Sequence, residues 1–357
     1  MKTALIVVRN QRMHWDEREF GPMADALLEA GYAADKIFVL SDEDAHELAQ
    51  TVIEAKNFFE NVFVAAPAKD LPALRGRVCE LLKVPPQDGA VVEAGTKTFF
   101  CFPCGTEGAA AVRAEAVPFL ERKYSVSHAV SVIRAVGVPA EKRERLAGMI
   151  RSGEGIRCFV SEKYGDFRLE ILYDDTSSKM RVDEAVRAAA EELRDYTYAI
   201  DDTPLNRRAL ELLKLRGLRL CVAESFTGGN VAARLIEVPG ASEVLFESVV
   251  AYDNRSKMQR LGVREETLAR HGAVSDDTAY EMAVGLLASG NCDVALATTG
   301  IAGPASDNTN KPVGLCYIAV GTSESVFVYK YIFQGSREDI TERAVNQALF
   351  LLCKQIR

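Results

Sequence analysis

Short apolar runs alternate regularly with helix-like segments along this 357-residue sequence. In the first region, about 1–125, an apolar run at 3–8 and strand-like segments at 37–40, 61–66 and 97–102 have stretches of helical periodicity between them. Alternation of this kind predicts a mostly parallel sheet with helices on both faces. Region 1–125 is therefore expected to be an α/β domain.

Two further regions follow, in line with an expected two or three domains at roughly 150 residues each. The second, about 126–200, combines strand-like segments with one helix and predicts a small α+β connecting domain. The third, 201–357, begins with Asp201-Asp202-Thr203-Pro204, a pattern typical of a helix start. Its later segments alternate again, which predicts a second α/β domain.

Charge and hydropathy exclude several classes of partner. The formal net charge is −8, which disfavours broad binding to nucleic acids or anionic membranes. The apolar run at 3–8 is too short for a signal peptide or a membrane span, and charge follows it at once. The eight cysteines are scattered through apolar segments, as reduced core thiols are. We expect a cytoplasmic protein without nucleic-acid or membrane partners.

Cys101-Phe102-Pro103-Cys104 is the only CxxC pattern in the sequence. A zinc site needs a second pair of ligands, and none is suitably spaced. Two interpretations stay open: a thioredoxin-type redox pair, or two thiols that flank a turn.

In the third region, the loop Glu224-Ser225-Phe226-Thr227-Gly228-Gly229 joins a predicted strand, 218–223, to a predicted helix. A serine on such a turn is exposed beside the backbone N–H groups of the helix start, which can bind an oxyanion or a phosphate. Two glycines allow a ligand to approach the backbone. The alternative is a Ser or Thr helix cap followed by flexible glycines.

A second loop, Tyr252-Asp253-Asn254-Arg255-Ser256-Lys257, closes the predicted strand 244–253. A lysine near a helix N-terminus and facing a pocket has its pKa lowered by burial and by the helix dipole. Such a lysine can take a proton from a serine hydroxyl. The alternative is a solvated surface lysine.

The third loop, Thr299-Gly300-Ile301-Ala302-Gly303-Pro304, follows the predicted strand 293–299 and suits a backbone cradle for a substrate. His271 is the only histidine in this region, so a Ser–His–Asp triad would depend on it alone. GxSxG, HExxH, P-loop and GxGxxG motifs do not occur in the sequence. If Ser225 is a nucleophile, Lys257 is the better base.

These loops together resemble the CinA family, the competence/damage-inducible proteins whose C-terminal domain is a nicotinamide-nucleotide amidase. Six stretches match in order and spacing: AESFTGG (223–229), VVAYDNRSK (249–257), LGVREETLARHGAVS (261–275), TTGIAGPASD (298–307), KPVGLCYIA (311–319) and FQGSRE (333–338). Upstream, LRDYTYAIDDTPL (193–205) resembles the family's junction before the amidase domain, and 126–200 resembles its connecting domain.

The resemblance implies deamidation of nicotinamide mononucleotide to nicotinic acid mononucleotide and ammonia, in pyridine nucleotide salvage. Ser225 matches the nucleophile, Lys257 its general base, and Tyr252 a residue that shapes the site. The substrate pocket is expected to include Thr227, Gly228, Gly229, Thr299, Gly300, Ile301, Ala302, Gly303 and Arg337, with Arg337 meeting the phosphate. No metal or other cofactor is expected for this step, and a homodimer is expected. The family usually has Cys where this chain has Phe226, a ring that either packs into the core or narrows the pocket.

Region 1–125 resembles the family's molybdopterin-binding-like domain, which in some members hydrolyses ADP-ribose with a divalent metal. Residues 9–13 read RNQRM where the family has GNELL, and 65–71 lacks the glycines of its GGLGPT loop, keeping only Asp70 of the aspartate pair. The later PGVP-type loop is reduced at 103–107. We expect a degenerate scaffold or dimer contact, with metal-dependent ADP-ribose hydrolysis as one alternative and a non-catalytic nucleotide-binding scaffold as the other.

Overall fold

The computed structural model describes residues 2–9, 20–42, 44–87, 89–149, 156–304 and 310–357. Residue contacts divide the chain into two compact units. As far as they are described, the first comprises Met1–Val130, Ser152–Arg157 and Leu172–Val182, and the second Ser131–Arg151, Cys158–Ile171 and Asp183–Arg357. The strands of the described residues form three sheets between helices, which confirms the predicted α/β fold class.

The first sheet is mostly parallel, as predicted. Its strands are β1 (Thr3–Arg9), β2 (Lys36–Ser41), β3 (Asn61–Ala66), β4 (Val91–Ala94) and β5 (Lys97–Pro103). Their order is β2–β1–β3–β5–β4, and only the edge strand β4 runs antiparallel to its neighbour. The accompanying helices are α1 (Gly21–Glu29), α2 (Ala45–Phe58), α3 (Leu71–Leu82), α4 (Gly105–Ala111) and α5 (Val117–Tyr124), with a π-helical turn at Val112–Ala116.

Alternate residues of β1 pack into two different cores. Ala4 and Ile6 belong to a cluster with residues of α2 and α3, whereas Leu5 and Val7 join residues of α1, α4 and α5. A strand buried on both faces reads as a continuous apolar run, because its side chains alternate between two covered faces. The run at 3–8 is therefore explained by helices on both sides of the sheet.

A four-stranded sheet accounts for most of the region predicted as a connecting domain. It has the order β7–β8–β6–β9. The strands are β6 (His128–Val136), β7 (Ile156–Lys163), β8 (Asp166–Asp174) and β9 (Thr197–Ala199), and the helices are α6 (Ala140–Met149) and α7 (Lys179–Leu193). Tyr164 and Gly165 both have positive φ between β7 and β8, as a two-residue hairpin turn requires. Because contacts assign parts of 126–200 to each unit, the three-domain division stays a prediction.

The third sheet carries the loops singled out in the sequence. Its strands are β10 (Leu220–Glu224), β11 (Leu245–Val250), β12 (Val294–Gly300), β13 (Leu315–Gly321) and β14 (Val326–Ile332). The order is β11–β10–β12–β13–β14. The strands β11, β10 and β12 are parallel to one another, β13 is antiparallel to β12, and β14 is antiparallel to β13. The helices are α8 (Leu205–Arg216), α9 (Asn230–Ile236), α10 (Asn254–Leu261), α11 (Glu265–His271), α12 (Asp276–Ala288) and α13 (Arg337–Gln355), with a 3₁₀ turn at Ala241–Glu243.

Helices cover both faces of this sheet as well. Leu220 and Val222 of β10 pack with residues of α8, α9 and α13, and Cys221 and Ala223 pack with residues of α10 and α12. Since β10, β11 and β12 are parallel, the loops that follow them leave the same edge of the sheet. That edge is where ligands collect in open α/β sheets.

One predicted element is wrong in its extent. The sequence pattern over 255–270 predicts a single helix, whereas α10 ends at Leu261 and α11 begins at Glu265. Gly262 lies between them with φ +66° and caps α10 in the left-handed conformation. Throughout the described ranges, no helix is both long and apolar enough to cross a membrane.

Candidate active site

The loops after β10, β11 and β12 enclose a cavity of about 280 Å³. This volume is close to the lower end of the range of about 300–1,000 Å³ that is typical of small-molecule sites. The lining residues are Ser225, Phe226, Tyr252, Lys257, Ala273, Val274, Gly300, Ile301, Ala302, Gly303 and Arg337. Residues more than 100 positions apart in the sequence therefore share one pocket.

Ser225 and Lys257 form a hydrogen-bonded pair in this cavity. The Lys257 Nζ atom lies 3.1 Å from Ser225 Oγ, 2.8 Å from the Ala251 carbonyl oxygen and 2.9 Å from the Tyr252 carbonyl oxygen. Lys257 is only 1% exposed and Ser225 only 7% exposed. The alternative of a solvated surface lysine is thus excluded.

Burial lowers the pKa of Lys257 to about 8, against the opposing effect of the Asp253 carboxylate. As an ammonium, Nζ can donate to all three of these oxygens, whereas the neutral amine has two N–H groups and one lone pair. The carbonyls of Ala251 and Tyr252 can only accept hydrogen bonds, so they take both N–H groups. The lone pair is left for the Ser225 hydroxyl, which then donates to Nζ. This is the geometry of a general base beside a nucleophile.

The backbone N–H groups at the start of α9 are not free to hold an anion, contrary to the expectation from the sequence. One carboxylate oxygen of Glu224 accepts from Gly229 N at 3.0 Å and Val231 N at 3.1 Å. Its other oxygen accepts from Ala232 N at 3.0 Å and Ser248 Oγ at 3.2 Å. The sequence reasoning gave Glu224 no role. An acidic residue shortly before a helix start was the available signal, because carboxylates favour helix N-termini.

Most of the predicted site residues come together in the cavity wall. Ser225, Lys257 and Tyr252 lie there, as do 300–303 and Arg337. Arg337 is the first residue of α13 and donates from Nη1 to the Gly303 carbonyl at 2.6 Å. Ser336 caps that helix.

Four predicted binding residues are not part of the cavity wall. Thr227 is 1% exposed, and its hydroxyl lies 2.7 Å from the Thr298 hydroxyl. Thr299 is fully buried and donates to the Ala273 carbonyl at 2.6 Å. Gly228 and Gly229 lie in the turn before α9, outside the lining set. The two threonines tie the loops of the site to one another instead.

Ala273 and Val274 are wall residues that the sequence reasoning missed. They follow α11. Lys311 holds this segment by donating to the carbonyls of His271 and Val274, both at 2.6 Å. The stretch 261–275 matched the family pattern, and that match was the one signal that pointed to it.

Phe226 both packs into the core and forms part of the cavity wall. It is 6% exposed and clusters with Cys316, Ile340 and Ala344. A Cβ atom at Gly300 would come within 2.9 Å of the Phe226 ring and 2.6 Å of the Cys316 Cβ. Position 300 therefore requires glycine, because both Cys316 and Phe226 occupy the space that a Cβ atom would need.

Replacing Phe226 by alanine is expected to lower the free energy of unfolding by about 3–5 kcal/mol, because it removes a buried ring and leaves a void. Urea denaturation of the variant measures this loss. Phe327→Ala is the matched control, since Phe327 of β14 is 47% exposed, and a loss below about 1 kcal/mol is expected there. Equal losses in the two variants would contradict the packing role of Phe226.

Two other predicted features concern metals and thiols. Across the described part of the chain, no group of three or more His, Cys, Asp or Glu side chains is placed to hold a metal ion. Burial raises the pKa of the Cys101 thiol to about 12, opposite to the lowered pKa of a redox-active CxxC thiol. Of the N-terminal loops discussed above, 10–13 lie outside the described residues, and Asp70 precedes α3 without a capping side-chain hydrogen bond.

Comparisons with known proteins show similarity to the CinA family. A family profile described as the CinA C-terminal domain matches residues 202–356. A putative competence-damage inducible protein of Caldanaerobacter subterraneus subsp. tengcongensis is 32% identical over 296 residues, which cover 82% of this chain and 70% of the relative. A CinA-like protein of Chloroherpeton thalassium is 37% identical over 262 residues, covering 68% and 60%.

Among solved structures, the chain is similar to a competence/damage inducible protein from Agrobacterium tumefaciens. The two share 38% sequence identity with a TM-score of 0.41, over 42% of this chain and 94% of the other. The relative from Caldanaerobacter is matched over more than two thirds of its own length at more than 30% identity. On the strength of that match, this chain belongs to the CinA family.

Proposed function

We propose that the second unit hydrolyses the carboxamide of nicotinamide mononucleotide to a carboxylate and ammonia. The observation that carries the proposal is the buried pair of Ser225 and Lys257, 3.1 Å apart in a cavity at the ligand-binding edge of the sheet. An amide carbon needs a strong nucleophile, and a serine gains that strength from an adjacent base.

The proposed reaction uses one lysine as both base and acid. Neutral Lys257 takes the Ser225 hydroxyl proton while Oγ bonds to the carboxamide carbon. Lys257 then gives that proton to the amide nitrogen, the C–N bond breaks, and ammonia leaves an acyl ester on Ser225. Water, deprotonated by Lys257, attacks the ester, and the proton returns to Oγ as nicotinic acid mononucleotide leaves.

Backbone amides from two loops are the proposed donors to the oxyanion. Phe226, Ala302 and Gly303 line the cavity, and their N–H groups have no hydrogen-bond partner within the part of the chain that the structure describes. Donors of this kind, fixed before the reaction starts, stabilise the charge that develops on the carbonyl oxygen. An amide directly after the nucleophile combined with one from a second loop is a recurrent arrangement in serine hydrolases.

The direct test is ammonia release from nicotinamide mononucleotide by the purified chain in the presence of a chelator. We expect turnover, with nicotinic acid mononucleotide as the second product by mass spectrometry. ADP-ribose is tested in parallel with added divalent metal. Cleavage of ADP-ribose alone would reject the amidase and favour a hydrolase site in the first unit.

Arg337 is proposed to bind the phosphate of the nucleotide. It lines the cavity, where its guanidinium can pair with an anionic group of the substrate. We expect Arg337→Met to raise KM for nicotinamide mononucleotide by about 10- to 100-fold, the equivalent of one charged hydrogen bond. Nicotinamide riboside, which lacks the phosphate, is the control substrate. An equal loss with both substrates would mean that Arg337 acts only by holding Gly303.

A further inference from the structure

Glu224 is a fully buried carboxylate at the end of β10, directly before Ser225. A buried charge is costly unless hydrogen bonds or an opposite charge compensate it. Here two oxygens accept four hydrogen bonds: three from the backbone amides of Gly229, Val231 and Ala232, and one from the Ser248 hydroxyl. The partial positive charge at the start of α9 adds to this compensation.

The contacts of Glu224 reach both halves of the Ser–Lys pair. On one side, its carboxylate fixes the turn that carries Ser225 to the first residues of α9. On the other side, Ser248 belongs to β11, and the Ala251 amide donates to the Glu224 carbonyl at 2.8 Å. The Ala251 carbonyl in turn accepts from Lys257 Nζ at 2.8 Å. Glu224 is thus one residue away from Ser225 and two hydrogen bonds away from Lys257.

We propose that Glu224 is the positioning residue of this site, setting the distance between Ser225 Oγ and Lys257 Nζ. The proposal rests on the proposed Ser–Lys chemistry. Glu224 does not line the cavity, so it acts through its neighbours and not on the substrate. Displacing a nucleophile from its base by about 1 Å can lower a rate about 100-fold. A charged residue was required because one side chain must accept from several amides at once.

Glu224→Gln tests the role with little change of shape. The glutamine side chain keeps one accepting oxygen. Its NH2 group replaces the other oxygen and faces the N–H or O–H groups that donated to that oxygen. Ser248→Ala removes only the single bond from β11. Leu213→Ala is the control for general loss of stability, since Leu213 is fully buried in α8 and outside the site. Thermal melting shows which fraction of each variant is folded under assay conditions.

The readout is the rate at which a fluorophosphonate reagent labels Ser225, followed by intact mass spectrometry. This rate reports the Ser–Lys pair without depending on the natural substrate. We expect Glu224→Gln to be labelled about 10- to 100-fold more slowly than wild type, Ser248→Ala by a smaller factor, and folded Leu213→Ala at the wild-type rate. The pH midpoint of labelling should stay where Lys257 sets it in all three variants. For nicotinamide mononucleotide, kcat should fall with little change in KM.

The results separate this inference from the proposed function. Wild-type labelling rates in folded Glu224→Gln and Ser248→Ala would overturn the positioning role. A slow rate in Leu213→Ala as well would also overturn it, because general destabilisation would then suffice. If wild type is labelled but releases no ammonia from nicotinamide mononucleotide, the substrate assignment fails while the test of Glu224 still stands. If wild type is neither labelled nor active, both proposals fall together.

Discussion

Replacing Ser225 by alanine is expected to lower ammonia release from nicotinamide mononucleotide by roughly 10⁴-fold or more. The variant keeps the cavity but lacks the oxygen that attacks the carboxamide carbon. Lys257 retains its two carbonyl acceptors, Ala251 and Tyr252, so the base stays in place. Steady-state ammonia release in the presence of a chelator measures the effect.

Substrate binding separates a chemical loss from a structural one. Because Ser225 is small and 7% exposed, its replacement should leave the melting temperature and the Kd for nicotinamide mononucleotide close to the wild-type values. Ser256→Ala is the control, since Ser256 lies on α10 but does not line the cavity. Wild-type turnover in Ser225→Ala would rule out an acyl-enzyme at this serine.

The sheets were predictable because strands that are buried on both faces have apolar residues at consecutive positions. Residues 4–8 and 220–223 are apolar at every position, and both segments belong to interior parallel strands, β1 and β10. The convergence of the three loops followed from the same fact, since parallel strands deliver their following loops to one edge. Ser225, Lys257 and Arg337 accordingly line one cavity.

Side-chain directions within the loops were not predictable in the same way. Thr227 stands in the turn before α9, and Thr299 lies at the end of β12 where the strand passes into its loop, yet both hydroxyls make hydrogen bonds within the protein. Periodicity tells which face of a strand or helix is buried, but an irregular loop has no period. Such threonines are placed by the demand that buried polar groups find partners, which only three-dimensional contacts reveal.

Glu224 shows a second reason why sequence patterns fall short. The glycine-rich turn before α9 looked like an anion site because helix starts expose free amides. The chain itself supplies the anion from the end of β10, close in space though five residues from Gly229. The backbone amides of a motif that suits an anionic ligand can instead donate to a carboxylate of the same chain. Only the hydrogen bonds of the folded chain decide which occurs.

Activity is expected to rise with pH around a midpoint of about 8, because the lowered pKa of Lys257 sets how much neutral amine is available as a base. At pH 7 about one tenth of the lysines would be neutral. Lys257→Met should lower kcat by roughly 10³-fold or more and abolish this midpoint, since its thioether accepts no proton. The dependence of kcat/KM on pH measures both effects.

Lys311 provides the matched control for Lys257. It also donates to two carbonyls, those of His271 and Val274, but it does not line the cavity. Lys311→Met is therefore expected to leave the pH midpoint of activity unchanged, whatever its effect on the rate. A midpoint that survives in Lys257→Met, or disappears in Lys311→Met, would assign the base to a different group.

The same pKa has a consequence for stability that needs no substrate. Lys257 has a pKa of about 8 in the folded chain against an ordinary value of 10.5, so between these values the unfolded chain binds more protons than the folded one. The free energy of unfolding therefore contains a contribution from Lys257 that rises with pH across this window. Lys257→Met lacks this contribution. In urea denaturation, the free energy of unfolding of wild type minus that of the variant should therefore increase from pH 8 to pH 10. A constant difference would show that the ammonium is not destabilised by burial, and the argument for Lys257 as the base would lose its physical cause.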